Sequence, residues 1–310
     1  PVVSVGNLSG GGTGKTPMVA WLVREFERRG RRVGIASRGY GARIGERNDE
    51  ALLLAQLAPN APHVLDHDRV RGGRALVAQH VDVVVLDDGF QHRRLRRDLD
   101  LVLIDATQPW GLPGRSADAA PLLPRGLLRE PPSALARADV VVLTRADHAR
   151  PADLVALRRE IEMHAPGVPL AIAWHRASRL RSLDGSCEAL DLLHGREVDV
   201  VSAIGNPEAF ERTLAALGAR VGTHRRFPDH HAYVAGDMDG LACDGRTLVT
   251  TAKDAVKLNT LAGPLAARVR IVDIDIEIAE GAAVLAALLD SLPQSRSTRE
   301  RAALHEGLHG

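Results

Sequence analysis

A glycine-rich stretch near the start of the sequence contains the residue types that bind phosphate groups. Residues 10–17 read GGGTGKTP, and successive glycines let backbone N–H groups converge on an anion without Cβ clashes. An apolar run, PVVSVGN, precedes the stretch and a helical pattern follows it, which is the strand–loop–helix setting of a phosphate-binding loop. We expect Lys15 to reach the β- and γ-phosphates and the Thr16 hydroxyl to ligate Mg²⁺. The predicted nucleotide-binding residues are Gly10, Gly11, Gly12, Thr13, Gly14, Lys15, Thr16 and Pro17.

The distribution of lysine supports this prediction over an ordinary glycine-rich turn. The chain has 40 Lys and Arg residues, and only Lys15, Lys253 and Lys257 are lysine. A chain that uses arginine almost everywhere is expected to keep lysine where a planar guanidinium cannot replace a point charge. The segment TAKDAVK, which contains the other two lysines, is therefore a second candidate functional segment.

Two consecutive acids follow an apolar run in the segment VVVLDDGFQH. Asp87 and Asp88 stand where the carboxylate of a Walker B segment holds Mg²⁺, directly or through water. The alternative is that an aspartate caps a helix after the strand. In a chain that already carries a phosphate-binding loop, we favour the metal role.

Three other charged segments are compatible with more than one function. Asp49 and Glu50 begin a predicted helix, where they either stabilise its N-terminus or, for Asp49, act as a general base toward the γ-phosphate. The arginine-rich residues 93–97 are either a solvated face or an anion-binding patch. In RFPDHHAY, adjacent histidines converge poorly on one metal ion, so the alternatives are a histidine that orients a carboxylate in the other lobe and an ordinary surface loop.

One motif sustains an alternative function. The strand VVVLT is followed by Arg145 and Asp147, which resembles the [NT]-K-x-D motif that reads guanine, with arginine in place of lysine. The alternative is therefore a GTP-binding P-loop switch or metallochaperone-type protein.

Bulk properties exclude several classes of protein. The formal net charge of +1 argues against a dedicated nucleic-acid binder, which is normally strongly basic. Cys187 and Cys243 are distant in sequence and form no C-x-x-C pair, so a disulfide scaffold or a zinc site is not expected. No apolar run is long enough to span a bilayer.

Strand-like and helical patterns alternate along the chain. Continuous apolar runs such as VVVL are typical of parallel strands buried on both faces. We predict an α/β fold with a P-loop NTPase-like doubly wound, mainly parallel sheet and a second, smaller α/β lobe. The predicted domains are a kinase domain at 1–167, a second lobe at 168–292 whose last helix, near 280–292, packs back on the first, and a polar tail at 293–310.

The order of these motifs resembles the tetraacyldisaccharide 4′-kinase family, a P-loop kinase family of lipid A biosynthesis. The segments that carry the resemblance lie between about residue 2 and about residue 290, and the most specific are DDGFQHRRL and GNPEAF with FPDHH. The full set of segments that carry the resemblance is VSVGNLSGGGTGKTP, SRGYG, NDEALLL, LDDGFQHRRLRRDLDLVLIDA, LLREP, SAIGNPEAFERTL, FPDHHAY and TAKDAVKL.

The resemblance implies transfer of the γ-phosphoryl group of ATP, with Mg²⁺, to the 4′-hydroxyl of a tetraacyl-glucosamine disaccharide 1-phosphate, a lipid A precursor. It implies a catalytic Asp49 with His230 as its partner, and a metal site at Thr16, Asp87 and Asp88. The implied location is the cytoplasmic face of the inner membrane of Gram-negative bacteria, with the protein bound peripherally or through a segment that precedes this sequence. The further residues that it implies around the cleft are Asn7, Tyr40, Glu50, Gln91, His92, Arg93 and Glu130.

Overall fold

The structure is a computed structural model that describes residues 1–39, 48–111, 116–229, 231–258 and 263–294. The predicted site residues Tyr40 and His230 lie outside these ranges. Two compact units are present: Pro1–Trp174 together with the segment from Ile278 onward, and His175–Glu277. The chain passes from one unit to the other within two strands, β7 (Leu170–Ser182) and β12 (Val269–Glu280).

The first unit contains a parallel sheet whose strands run in the order β7-β6-β5-β1-β4-β2-β3. Its central strands are buried along almost their whole length, as the uninterrupted apolar runs predict. The predicted parallel α/β fold is confirmed. The remaining strands of this unit are β1 (Val2–Asn7), β2 (Val33–Ser37), β3 (His63–Leu65), β4 (Val83–Asp87), β5 (Leu99–Asp105) and β6 (Val140–Thr144).

Helices connect these strands and cover the sheet. The core between them includes the fully buried Phe26, Phe90 and Trp110. The helix that follows β12 is joined to the C-terminal end of the first helix, because Arg29 Nε donates to Asp290 Oδ1 at 2.8 Å and Arg31 donates to the carbonyl of Leu292 at 2.9 Å. The helices of this unit are α1 (Lys15–Arg28), α2 (Asp49–Leu57), α3 (Arg69–Val77), α4 (Pro151–His164) and α7 (Ala282–Asp290), with 3₁₀ turns at Ala117–Ala119, Pro132–Arg137 and Ala146–His148.

The second unit is a smaller α/β body whose strands run in the order β10-β9-β11-β12-β7, with β8 antiparallel to β7. Parallel pairing joins β10, β9, β11 and β12. Its elements are β8 (Cys187–Glu188), β9 (Glu197–Ser202), α5 (Pro207–Ala216), β10 (Arg220–Arg226), β11 (Thr247–Thr251) and α6 (Ala252–Leu258), with 3₁₀ turns at Leu190–Leu193, Ala235–Met238, Cys243–Gly245 and Gly263–Arg268.

The predicted domain boundary at residue 167 falls on Gly167, which has a positive φ of 73° in the turn before β7. In the structure the compact units divide within β7 and β12. The first residues of β7 pair with β6 of the first unit, and its last residues pair with β8 of the second. No helix in the described ranges has the length and apolar character needed to cross a membrane.

Candidate active site

The glycine-rich loop joins the buried end of β1 to the N-terminus of α1. Gly11 and Gly14 have φ values of 148° and 91°, a region that favours glycine. No side chain caps α1, and no acidic residue lies in its first turn. The N–H groups of Lys15 and Thr16 at the start of α1 therefore present a positive end to an anion, whereas Pro17 in the same turn has no N–H to donate.

Buried polar side chains hold the loop from beneath. Asn7 is fully buried, and its Nδ2 donates to the Ser9 carbonyl at 2.8 Å and to Thr13 Oγ1 at 3.0 Å. Thr144 Oγ1, at the end of β6, donates to the Thr13 carbonyl at 2.9 Å. Asn7, which we predicted at the cleft, thus contacts the underside of the loop through its side chain.

The two acids after β4 have opposite electrostatic environments. Burial raises the pKa of Asp87 to about 7, and the negative charges of Glu50 and Asp88 add to this effect. Burial also disfavours ionisation of Asp88, but Lys15 and Arg129 outweigh it and hold the pKa of Asp88 below its usual range. The site therefore combines an ionised carboxylate with one that is held partly protonated near neutral pH.

Asp88 is joined to two cations. Lys15 Nζ lies 3.7 Å from Asp88 Oδ1, and Arg129 Nη1 donates to both carboxylate oxygens at 2.8 and 2.7 Å. Asp88 has a positive φ of 55°, which a non-glycine residue rarely adopts. The ion pairs with Lys15 and Arg129 therefore hold Asp88 toward the start of α1 in a backbone conformation that aspartate does not favour by itself.

The acids beside Lys15 fit a magnesium ion that shares its ligands with a nucleotide. Within the described ranges, no three His, Cys, Asp or Glu side chains lie close enough together to hold a metal ion by themselves. Mg²⁺ commonly takes one or two protein carboxylates and completes its shell with water and phosphate oxygens. Burial, and then the charges of Glu50 and Asp88, disfavour the ionised form of Asp87 and raise its pKa, and a bound divalent cation would favour that form.

Gln91 and Glu130 form a network at the side of this site. Gln91 Nε2 donates to the Asn7 carbonyl at 2.9 Å and to Glu130 Oε1 at 3.1 Å. Arg137 pairs with Glu130 at 2.9 Å and lies over the ring of Phe90. The network joins the end of β1 to the segment that follows Asp88.

The arginine-rich segment 93–97 divides into two parts. Arg97 is half-buried, and it pairs with Asp100 at 2.9 Å and donates to the His92 carbonyl at 2.7 Å. Arg93, Arg94 and Arg96 are exposed. Burial, together with the nearby charges of Arg69 and Arg94, lowers the pKa of His92.

Asp49 and Glu50 lie in the first turn of α2. The capping side chain is that of Asn48, whose Oδ1 accepts from the Ala51 N–H at 2.9 Å. The capping interaction therefore does not require either acid. The effect of Glu50 on the pKa of Asp87 places this turn beside the end of β4.

Sequence reasoning missed two arginines of the site. Arg129 lies in the segment LLREP, in which only Glu130 was predicted as a site residue. The ion pair between Arg129 and Asp88 joins residues that are far apart in sequence. Arg69 is buried at the start of α3, donates to the Asp66 carbonyl at 2.8 Å, and has a pKa lowered by burial. Two acids, Asp66 and Asp68, shortly precede Arg69 and were the available signal in the sequence.

The three residues that resemble a guanine-reading motif, Thr144, Arg145 and Asp147, contact other residues of the protein. Thr144 supports the glycine-rich loop, as described above, and Arg145 forms an ion pair with the buried Asp105. Asp147 lies 3.9 Å from the ring nitrogen of His148. The arginine that stands where the motif has lysine is thus neutralised within the fold.

In the second unit, the two remaining lysines contact the residues on either side of position 230. Lys253 Nζ lies 2.9 Å from Asp229 Oδ1. Lys257 Nζ donates to the His231 carbonyl at 3.2 Å and lies 3.4 Å from Asp254. The His231 ring stacks on Phe227 and contacts Asp237 at 2.9 Å.

Almost the whole sequence is similar to that of a known protein family. Residues 1–293 match the model of the family described as tetraacyldisaccharide-1-P 4′-kinase. The chain belongs to this family. Tetraacyldisaccharide 4′-kinases of Anaeromyxobacter dehalogenans and Chromobacterium violaceum are 43% and 40% identical, and the matches cover 94% and 87% of this chain and 81% and 78% of those proteins.

The fold agrees with that of a solved member of the tetraacyldisaccharide 4′-kinase family. A crystal structure of LpxK from Aquifex aeolicus in complex with ATP has a TM-score of 0.70 and 31% identity. The similarity covers 93% of this chain and 87% of that one.

Proposed function

We propose that this chain transfers the γ-phosphoryl group of ATP to the 4′-hydroxyl of a tetraacyldisaccharide 1-phosphate, a lipid A precursor, giving lipid IVA. Family membership over residues 1–293 supports this reaction. The observation that carries it is the grouping of Lys15, Asp88 and Arg129 at the uncapped N-terminus of α1. Where a triphosphate would bind, this grouping provides the positive charge of the Lys15 ammonium, which can move, and the fixed positive charges of Arg129 and the helix N-terminus.

Binding of the triphosphate would use the loop and Lys15. The N–H groups at the start of α1 would bind the phosphates, and the Lys15 ammonium, which lies 3.7 Å from Asp88 Oδ1, would contact the terminal phosphate oxygens. The N–H groups of Gly10 and Thr13 donate to carbonyls within the protein. Asp88 remains charge-balanced in this arrangement because Arg129 contacts both of its oxygens. Arg129 thus keeps the carboxylate in place when Lys15 turns to the nucleotide.

Thr16, Asp87 and Asp88 are the residues that would hold Mg²⁺. When bound there, Mg²⁺ would neutralise charge on the phosphates and would favour the ionised form of Asp87. Asn7 and Thr144, which both contact Thr13, would support the loop when phosphate binds. Because phosphoryl transfer depends on positioning and electrostatics more than on covalent chemistry, rigid support of this kind contributes directly to rate.

In the transfer step, the acceptor oxygen forms a bond to the γ-phosphorus and the bond to the β,γ-bridging oxygen breaks, releasing ADP. We assign Asp49 as the base that takes the hydroxyl proton, with His230 as the group that favours its ionised state. His230 lies outside the described residues, and its partnership with Asp49 stays a prediction.

The acceptor is a lipid, so we also propose that the protein works at the surface of the inner membrane, at its cytoplasmic face. The exposed arginines 93, 94 and 96 follow the site segment directly. Anionic lipid surfaces attract such side chains at about 1 kcal/mol each.

The experiment is incubation with γ-labelled ATP and the acylated disaccharide 1-phosphate, followed by thin-layer separation of lipid products. We expect label in a lipid more polar than the acceptor, and we expect ATP to be preferred over GTP in competition. A protein that labels no lipid and binds GTP at least about tenfold more tightly than ATP, a difference of about 1.4 kcal/mol, would instead be a GTP-binding switch.

A further inference from the structure

A short loop next to the phosphate-binding loop exposes several leucine side chains. Residues 121–128, which we call the leucine loop, read PLLPRGLL. Leu122, Leu123 and Leu127 are 43%, 55% and 37% exposed, whereas Leu128 is fully buried in the core. Contiguous exposed apolar side chains bordered by charge are typical of surfaces that bind lipid, ligand or protein.

Backbone hydrogen bonds fix the conformation of the leucine loop. The Leu123 N–H donates to the Leu128 carbonyl at 2.8 Å, and the N–H groups of Arg125 and Gly126 both donate to the Leu122 carbonyl at 3.0 Å. A Cβ at Gly126 would lie 2.2 Å from the Pro121 carbonyl oxygen, so this close turn requires glycine. The leucines are therefore presented by an ordered turn.

The leucine loop is joined directly to the phosphate-binding loop. The Gly10 N–H donates to the Leu127 carbonyl at 2.6 Å, Ser9 forms a β-bridge with Leu128, and the Arg129 N–H donates to the Leu8 carbonyl at 2.7 Å. Arg129 in turn contacts Asp88, which pairs with Lys15. The exposed leucines consequently lie within a few residues of the groups that would hold the transferred phosphate.

We propose that the leucine loop binds an acyl chain of the phosphate acceptor, which makes it a determinant of acyl-chain selectivity. This inference rests on the proposed function. A disaccharide with four acyl chains carries chains within a few bonds of its reacting hydroxyl, so an apolar surface is needed beside the phosphate. The single charged residue of the loop, the exposed Arg125, matches an anionic lipid, and the loop contains no acidic residue.

The test compares two double variants of similar exposure on the first unit. Leu122→Ser/Leu123→Ser removes the apolar surface, and Val155→Ser/Met163→Ser, at positions 51% and 67% exposed on α4, is the matched control. Neither pair belongs to the proposed catalytic or nucleotide-binding residues. Steady-state kinetics are measured with a long-chain tetraacyl disaccharide 1-phosphate in detergent micelles and with a water-soluble butanoyl analogue. Sedimentation with acceptor-free vesicles of phosphatidylglycerol and phosphatidylethanolamine is measured in parallel.

We expect the leucine variant to raise KM for the long-chain acceptor at least about tenfold, since an apolar contact worth about 1.4 kcal/mol is lost. Its KM for ATP, its kinetics with the butanoyl analogue and its vesicle sedimentation should match those of the control variant. An unchanged ratio of long-chain to butanoyl KM in an active enzyme overturns the inference while leaving the proposed function intact. Loss of vesicle sedimentation with an unchanged micellar KM also overturns it, because the loop then binds the bilayer. A wild-type protein that phosphorylates neither acceptor overturns the proposed function itself.

Discussion

Lys15 Nζ lies 3.7 Å from Asp88 Oδ1, so the lysine of the phosphate-binding loop is already paired with a carboxylate that follows β4. Asp88 also accepts two hydrogen bonds from Arg129, which explains how it can be ionised in a half-buried position. In the proposed binding mode, Lys15 would leave Asp88 for a phosphate oxygen of the nucleotide, and Arg129 would still balance the charge of Asp88.

The first prediction concerns Arg129. Arg129→Gln removes both hydrogen bonds to Asp88, so Lys15 should stay with the carboxylate and kcat/KM for ATP should fall about 10²-fold, the usual loss for one fixed charge-stabilising donor. Arg129→Lys should recover only part of this loss because it cannot contact both oxygens in one plane. The control is Arg159→Gln on α4, an exposed arginine that should leave kcat/KM unchanged. Equal kcat/KM for ATP in Arg129→Gln and the wild type would show that Arg129 has no role in nucleotide use.

The second prediction uses two threonines with the same local contact. Thr144 and Thr250 are both fully buried, and each donates through Oγ1 to a backbone carbonyl at 2.9 Å. Replacing either by valine should lower the free energy of unfolding by about 1 kcal/mol or somewhat more. Only Thr144→Val should also raise KM for ATP, because its acceptor is the carbonyl of Thr13 in the loop. Urea unfolding and steady-state kinetics measure the two effects, and parallel changes in KM would contradict this role of Thr144.

The third prediction concerns pH and the stability of the protein without nucleotide or metal. The Asp87 carboxyl titrates near 3.8 when exposed and near 7 in the fold, so the folded state binds more protons between these values. Stability contributed at this position therefore falls as pH rises from about 4 to about 7. Asp87→Asn lacks this loss, and its melting temperature should exceed that of the wild type at pH 8 by more than at pH 5.

The neighbouring acid provides the control for this experiment. Asp88 has a lowered pKa, so its ionised form contributes stability above pH 4 that is lost in acid. Asp88→Asn should therefore melt below the wild type at pH 8, the opposite of Asp87→Asn. Changes of the same sign in both variants, measured by calorimetry in EDTA, would show that the two environments do not differ as described.

The fourth prediction, from the sequence, joins Asp49 and His230. If the two act as one base, Asp49→Ala and His230→Ala should each lower kcat strongly, and the double variant should be little worse than the poorer single variant. ATP affinity should be retained in all forms. The measurement is kcat at saturating substrates, with ATP binding determined separately. Multiplicative losses would mean that the residues act independently.

The parallel sheet and the position of the glycine-rich loop between β1 and α1 were predictable because their signals are local. The uninterrupted run in β4 and the glycines before Lys15 constrain burial and backbone conformation within a few residues. The acids at the end of β4 were likewise visible as a pair. Their different pKa values were not, because these depend on Glu50 and Arg129, which approach from distant segments.

The supporting contacts of the site were the least predictable part. Asn7 was expected at the cleft, but its side chain lies beneath the loop, since only the fold shows which side of the β1 end faces Thr13. Thr144 and Arg145 resembled part of a guanine-reading motif, and their observed partners are Thr13 and Asp105. The residue types at these positions predicted polar contacts. Which partner each side chain contacts depends on segments that are distant in sequence and could not be predicted.

The most direct test of the central claim is transfer of γ-phosphate to the acylated disaccharide lipid by the wild type, Lys15→Ala and Lys15→Arg in single-turnover experiments. We predict that the wild type forms a lipid phosphomonoester at the 4′ position and that Lys15→Ala slows transfer at least about 10³-fold. Lys15→Arg should also fail, because the loop is built around a point charge that can leave Asp88 for phosphate. Near-normal transfer by Lys15→Arg would contradict the role proposed for Lys15. Label in no lipid with the wild type would contradict the proposed kinase reaction itself.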